Sequence, residues 1–378
     1  MRIVLVGPVY PFKGGIAHYT CLLYKELIKT HVVRLVSFKM QYPRLLFKRE
    51  QKDYSNDTFK IENAEFLINT VNVFNIIKTG MDIRKSDPDL VIIQWWHPYF
   101  APCYWILEQA IGKNVKVIFI CHNVFPHERF LADKFLAKLA LRHADGYIVH
   151  SNKDGHDLGE IKKDSNYRFN PHPTYNAFKI RNITQEQGRQ EIVEKDGFEI
   201  YPDTQLLLFF GFVREYKGLK YLLKAMPLIA EQLPKCRLLI VGSFGDDKQD
   251  YLNLIKELGI GNYVFFKDDY TPDNEVEKYF VATDLVVLPY IDATQSGIVQ
   301  IAFGFDKPVV VTNVGGLPDV VDDGYTGFVI KEKSEEDIAF AVKDFYINGK
   351  STKMRNNILL ESEKFSWAKM CDTIIELI

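Results

Sequence analysis

Arg214 and Lys217 stand three residues apart in Gly211-Phe212-Val213-Arg214-Glu215-Tyr216-Lys217-Gly218, directly after an apolar run. Two fixed cations at a helix start, with that helix's free N–H groups, suit a diphosphate. On a loop facing water they would be ordinary solvated charges. A second segment, Ala293-Thr294-Gln295-Ser296-Gly297, crowds hydroxyls, an amide and a glycine before another helix. That set fits an anion or sugar hydroxyls, and it also fits a simple N-cap by Thr294 or Ser296. A third, Gly7-Pro8-Val9-Tyr10-Pro11-Phe12-Lys13-Gly14-Gly15-Ile16, joins the first strand to the first helix, with His18 just beyond. Gly14 and Gly15 let a backbone approach a phosphate or an acceptor closely, or make a tight turn. The spacing is not GxGxxG, so a dinucleotide fingerprint is absent.

All nine histidines lie at or before His172. His97 and His122 each follow an apolar run, where an imidazole can donate, accept or carry charge. His122 is the catalytic candidate; His97, Asn123, His127 and Glu128 are candidates for an acceptor cleft. No HExxH or other zinc spacing occurs. Asp87-Pro88-Asp89 reads as a turn, and the pairs Asp246-Asp247 and Asp322-Asp323 as solvated loops. Neither a metal nor a cofactor is expected.

These residues need elements to hold them. Short apolar runs at Ile3–Val6, Val32–Ser37, Leu90–Trp95, Val115–Ile120 and Gly146–Val149 read as strands buried on both faces. Amphipathic segments such as Ala17–Lys29, Tyr99–Ile111 and Phe130–Arg142 separate them. That alternation predicts a doubly wound α/β domain. The rhythm breaks from about Asn166 to Asp203, which is rich in Asn, Pro, Lys and Glu and carries no clean strand. Strands resume at Gln205–Phe210, Arg237–Val241, Tyr263–Phe266, Leu285–Leu288 and Val309–Thr312, with helices such as Gly218–Gln232 and Lys248–Leu258 between them. The expected plan is a domain over 1–175, a second over 176–364 and a last helix over 365–378. Ligands of open α/β sheets bind at the C-terminal ends of the strands, here in a cleft between two facing domains.

The 378 residues, 47% hydrophobic and 25% charged, suit two globular domains. A net charge of -2 argues against nucleic-acid binding. Arg34, Lys39, Arg44, Lys48 and Arg49 lie with Leu45, Leu46 and Phe47 in a stretch without acidic residues. It reads as a solvated loop or as a patch touching anionic lipid. The five scattered cysteines form no CxxC pair and suit a reducing compartment. No signal peptide and no run of ~20 apolar residues is present, so a cytoplasmic protein, resting at most peripherally on the membrane, is expected.

The second half resembles the retaining family-four glycosyltransferases of the GT-B fold. The resemblance rests on Gly211–Gly218, on Leu288–Val311, on Gly315-Gly316-Leu317-Pro318-Asp319-Val320-Val321, and on Asp323-Gly324-Tyr325-Thr326-Gly327-Phe328. Asp306-Lys307-Pro308-Val309-Val310 matches a family stretch in which glycine stands at the Asp306 position. The resemblance implies that Arg214 and Lys217 bind the donor diphosphate. It implies that Gly14, Gly15 and Thr294–Gly297 close over phosphates and sugar, that His122 lies near the transferred sugar, and that the last helix crosses back onto the first domain. The family's paired glutamates fall on Ala293 and Ile301, so both carboxylates are missing, as in a branch with a Thr-Gln-Ser-Gly loop. The implied activity is metal-independent transfer, with retention, from a nucleotide-diphosphate sugar to a glycan or lipid-linked acceptor in polysaccharide or glycolipid synthesis. Within the same fold a sugar-nucleotide epimerase competes, as does a non-catalytic sugar-nucleotide binder or scaffold.

Overall fold

Alternating side chains decide how the first half layers. In β1 (Arg2–Val6), Val4 and Val6 point into one apolar cluster while Ile3 and Leu5 point into another. Both sides of the strand are therefore buried, and the sheet needs helices on each face. The chain supplies them in order: α1 (Gly15–Leu27), β2 (Val32–Met40), β3 (Glu65–Asn69), α2 (Val73–Lys85), β4 (Leu90–Trp95), α3 (Ala101–Ile111), β5 (Lys116–Cys121), α4 (Asp133–Leu141), β6 (Gly146–Val149), α5 (Asn152–Ile161) and β7 (Tyr167–Phe169). The parallel sheet runs β3-β2-β1-β4-β5-β6-β7. A computed structural model describes residues 1–47, 50–54, 59–126, 129–245 and 247–378.

The second half repeats the plan: α6 (Gln185–Asp196), β8 (Gln205–Phe210), α7 (Leu219–Ala230), β9 (Cys236–Val241), α8 (Lys248–Glu257), β10 (Val264–Lys267), α9 (Asp273–Ala282), β11 (Leu285–Leu288), α10 (Gly297–Gly304), β12 (Val309–Thr312), β13 (Gly327–Ile330), α11 (Glu335–Ile347), α12 (Ser351–Leu360) and α13 (Trp367–Ile375). Its sheet runs β10-β9-β8-β11-β12-β13, again parallel. The chain thus holds two Rossmann-like α/β units.

One unit comprises Met1–Pro171 with Ser366–Ile378, the other His172–Phe365. The expected boundary at 175/176 lies four residues later than the observed one. The reason is local: Thr174 N donates to Phe365 O (3.0 Å) and Tyr175 N to Gln300 O (3.3 Å), which ties 172–175 to the second unit. In the first unit α13 completes the face formed by α1, burying Met370, Cys371 and Ile374 with Tyr19 and Leu23. Thr373 Oγ1 donates to Asn170 Oδ1 at 3.0 Å.

Three strands escaped the sequence pattern. β3 and β13 close the edges of their sheets, and β7 is a fully exposed three-residue edge of the first sheet. Edge strands lose the two-sided apolar run that marks a central one. The stretch 166–203 also contains a real helix, α6, held by a capping box between Thr184 and Gln187 and ended by Gly197 at φ 74°. Among the described residues no helix is long and apolar enough to cross a membrane.

The basic stretch 34–49 divides. Arg34 belongs to β2 and binds Glu65 (2.8 Å) and Asp82 (2.6 Å), so it is neither a loop charge nor available to lipid. Lys39 and Arg44 are exposed, and Lys48 and Arg49 lie outside the described residues. Asp87 takes a left-handed φ of 49° and Asp89 accepts Arg2 N at 2.7 Å, which is the turn expected there.

Candidate functional site

In each sheet, strand order reverses at one place, and the loops on either side of that reversal diverge. In the second unit it lies between β8 and β11. The loop after β8 carries Gly211–Gly218, and the loop after β11 carries Pro289–Gly297. Tyr216 O accepts Ile291 N at 2.6 Å, which clamps the two loops together. Gly218, at φ 67°, passes so close that a Cβ would sit 1.9 Å from Pro289 O. Only glycine tolerates both demands.

Lys217 ends a short 3-10 turn, Glu215–Lys217, and α7 begins two residues later, so the cation sits just before the helix rather than on it. It is buried, its ammonium 5.5 Å from the centre of the Tyr290 ring. That ammonium lies 3.0 Å from where a Gly211 Cβ would be. Burial, reinforced by the Arg214 charge, pulls Lys217 below the usual lysine value, partly offset by Tyr216. Among the described residues it has no ion-pair partner. Arg214 behaves differently: its side chain is exposed and reaches toward Gly245. The two cations are therefore one buried and one solvated, not a matched pair.

Ser296 caps α10, accepting Ile298 N at 3.3 Å, and also engages Tyr290, whose hydroxyl burial pushes up to about 12. Thr294 is buried and its carbonyl accepts Gly316 N at 2.9 Å. Gly315, at φ 54°, leaves no room for a Cβ, which would lie 1.5 Å from Ala293 O. The Gly315-Gly316 pair thus fixes the 293–294 backbone. Gln295 is half-buried beside it. Ala293 and Ile301, at the glutamate positions of the resemblance, are both buried. Asp306 holds φ 56°, a left-handed position that explains why glycine suits it. Lys307 is structural: its ammonium donates to Val281 O and Thr283 O.

In the first unit the reversal lies between β1 and β4. Gly14 opens α1 at φ 110°, with nothing within 4 Å of its absent Cβ. Gly15 is the first residue of α1, and the His18 ring packs 4.3 Å from that of Phe59. Beyond β4, His97 accepts Tyr99 N at 3.0 Å and stacks toward Phe130; burial lowers its pKa. His122, directly after β5, is buried, with Nε2 2.7 Å from Gln94 Oε1 on β4. That contact ties the imidazole to Gln94, with the donor set by the tautomer of His122. Tyr19 meets the His122 ring edge to face at 4.6 Å.

Asn123 follows, half-buried, and the next residue, Val124, donates its N–H to the buried carboxylate of Asp154 at 3.0 Å. His127 and Glu128 lie outside the described residues, as does Asp246. Among the described residues one cluster, His156, Asp157 and Glu160 on α5, has ligand atoms within 4.8 Å of one another. Glu160 already binds Lys134 at 3.0 Å, and no residue of the loops above belongs to the cluster.

Sequence reasoning missed Gln94, Tyr19, Tyr290 and His150. His150 follows β6 as His122 follows β5, so the same signal flags it; it is fully buried and held near 4 by burial. Gln94, the one polar residue in an apolar run, was legible in principle. Tyr19 and Tyr290 have no local signal.

Residues 191–360 match the model of glycosyl transferases group 1, and residues 13–166 that of glycosyltransferase family 4. The second half of the chain is thus similar to the group 1 glycosyltransferases and the first half to glycosyltransferase family 4. The chain is 30% identical over 171 residues to a D-inositol 3-phosphate glycosyltransferase of Corynebacterium aurimucosum, a match covering 44% of this chain and 40% of that protein. It spans well under two thirds of the length of the curated relatives it matches first. Its fold is similar to a sucrose-phosphate synthase from Thermosynechococcus elongatus, with TM-score 0.71 at 17% identity over 100% of this chain and 98% of that one. It is also similar to the Anabaena HepE protein in complex with UDP, with TM-score 0.71 at 17% identity over 100% and 99% of the two chains.

Proposed function

We infer that this protein transfers a sugar from a nucleotide-diphosphate donor to a glycan or lipid-linked acceptor, with retention and without a metal or cofactor, in polysaccharide or glycolipid synthesis. The observation that carries the reading is Lys217: a buried cation at the sheet's reversal point, without an ion-pair partner among the described residues. An unpaired buried charge costs stability unless an anion completes it. As the bond from the anomeric carbon breaks, its electron pair leaves with the diphosphate. Lys217 and Arg214 stabilise that charge, and an ammonium held in place needs little reorganisation. His122, held by its contact with Gln94, serves the transferred sugar, and the Gly14-Gly15 loop the phosphates. His97 and Asn123, with His127 and Glu128 outside the described residues, are acceptor-side candidates. The protein works on the cytoplasmic face of the membrane as a peripheral enzyme. HepE's complex with UDP makes uridine donors the first to test.

A second reading, a sugar-nucleotide binder without transfer, draws on Ala293 and Ile301, which leave ribose without the family's carboxylates. Thermal shift with UDP-, GDP-, ADP- and dTDP-sugars, with and without EDTA, tests the donor site. A selective rise that EDTA leaves intact is expected. No rise with any donor refutes a preformed donor site, and a rise without turnover favours the binder.

A further inference from the structure

Helix α2 is apolar on its inner side and again along one outward flank. Its inner side, Ile76, Thr79, Gly80 and Ile83, is buried against α3. Gly80 lies so near that a Cβ would be 2.5 Å from that of Ala110 and 2.9 Å from Leu107 O. At about 100° per residue, Phe74, Ile77 and Met81 fall together on one outward flank, roughly 110° to 170° from the centre of that inner side. All three are exposed, Phe74 at 85%. A helix with one face on its core normally turns polar residues outward. Here the outward stripe is apolar, and Lys78 and Lys85 fall along its edge.

The stripe continues into a neighbouring loop. Thr70, just before α2, donates its hydroxyl to Gln41 O at 2.9 Å, and Tyr42 packs on Phe47 and Tyr99. The loop 41–47 thus adjoins the start of α2 and exposes Leu45, at 87%, Leu46 and Arg44. The one acidic side chain of α2, Asp82, is bound to Arg34. Lys78, Arg84 and Lys85 therefore leave the helix's outer surface basic, on a chain of net charge -2.

We propose that α2 and the loop 41–47 form a docking surface for an anionic lipid bilayer. Phe74, Ile77, Leu45 and Leu46 enter the interface, and Lys78, Lys85 and Arg44 meet lipid phosphates. Charge complementarity selects this occupant, because a stripe meant for an apolar partner does not need lysines along its edge. The inference deepens the peripheral-membrane part of the function proposed above and moves it away from Arg34. It does not depend on sugar transfer, since binding is read without donor or acceptor.

The experiment is vesicle flotation of the full chain with phosphatidylcholine alone and with phosphatidylcholine–phosphatidylglycerol mixtures. Binding to the anionic vesicles that weakens with salt is expected. Phe74→Ser lowers the partition coefficient about tenfold, and Lys78→Gln with Lys85→Gln lowers it roughly thirtyfold. Both variants alter exposed side chains, and an unchanged melting temperature checks that they fold. Equal flotation of parent and variants overturns the proposal, as does no flotation of the parent with either vesicle. Self-association of the parent that Phe74→Ser abolishes, without lipid binding, assigns the face to a second copy and overturns it too.

Discussion

Replacing Lys217 by Met should move stability and donor affinity in opposite directions. The side chain is buried, its ammonium faces the Tyr290 ring rather than a carboxylate, and burial lowers its pKa. Without ligand, that ammonium is a net cost, which an apolar side chain of similar length removes. The melting temperature of Lys217→Met should hold or rise. With a nucleoside diphosphate bound, the ammonium gains a charged partner in a partly desolvated place. A hydrogen bond to a charged group is worth about 1.5–3 kcal/mol, which corresponds to a roughly 10- to 150-fold loss in affinity. Calorimetric titration with UDP and the other diphosphates, beside thermal unfolding of the same samples, gives both numbers. Unchanged affinity in the variant would refute the diphosphate role. A fall in melting temperature matching the loss of affinity would make Lys217 a structural lysine.

Other expectations follow from the same loops and core. Gly218→Ala forces a Cβ against Pro289 O at a left-handed position; donor affinity should fall at least tenfold while the far-UV spectrum stays native, as titration of the variant would show. Gln94→Leu should lower kcat about 10- to 100-fold with little change in donor affinity. Gln94→Glu should shift the pH–rate profile upward, because a carboxylate favours protonated His122; an unmoved profile would separate Gln94 from the chemistry. Glu108, buried on α3 with Asp145 nearby, is raised to about 9. Between the unfolded value of ~4.5 and 9 the folded state holds a proton that the unfolded state has lost. Stability therefore falls as pH rises through that window, by about 3 kcal/mol between pH 4.5 and 7. Glu108→Gln should flatten that slope in denaturant titrations at several pH values, and an unchanged slope would place the effect elsewhere.

The central strands were plain in the sequence because each is an apolar run buried on both faces: β4 has no exposed residue at all. The edges β3, β7 and β13 were not, since one-sided burial erases that signal. Loop chemistry was legible where a strand end meets a helix start, which is how Lys217, Ser296 and His122 could be singled out. What local pattern cannot show is which partner a residue finds. Gln94 meets His122 only because β4 and β5 pair in register, Gln94 opposite Ile120. Tyr290 meets Lys217 only because β8 and β11 are neighbours. Arg34 looked like a surface cation because Glu65 and Asp82 lie far along the chain. The exposed stripe of α2 was also invisible, since sequence spacing does not show how much of a helix's apolar arc the neighbouring α3 covers.

The most direct test is product analysis. The protein is incubated in EDTA with UDP-glucose, then with the other nucleotide sugars, in the presence of membrane lipid and glycan acceptors. Nucleoside diphosphate and glycosylated product are then measured by mass spectrometry, with Lys217→Met as control. Equimolar release of diphosphate and a new α-linked glycoside, lost in the variant, is the predicted result. A nucleotide sugar that returns as its epimer, or that binds and is never consumed with any acceptor, would contradict it.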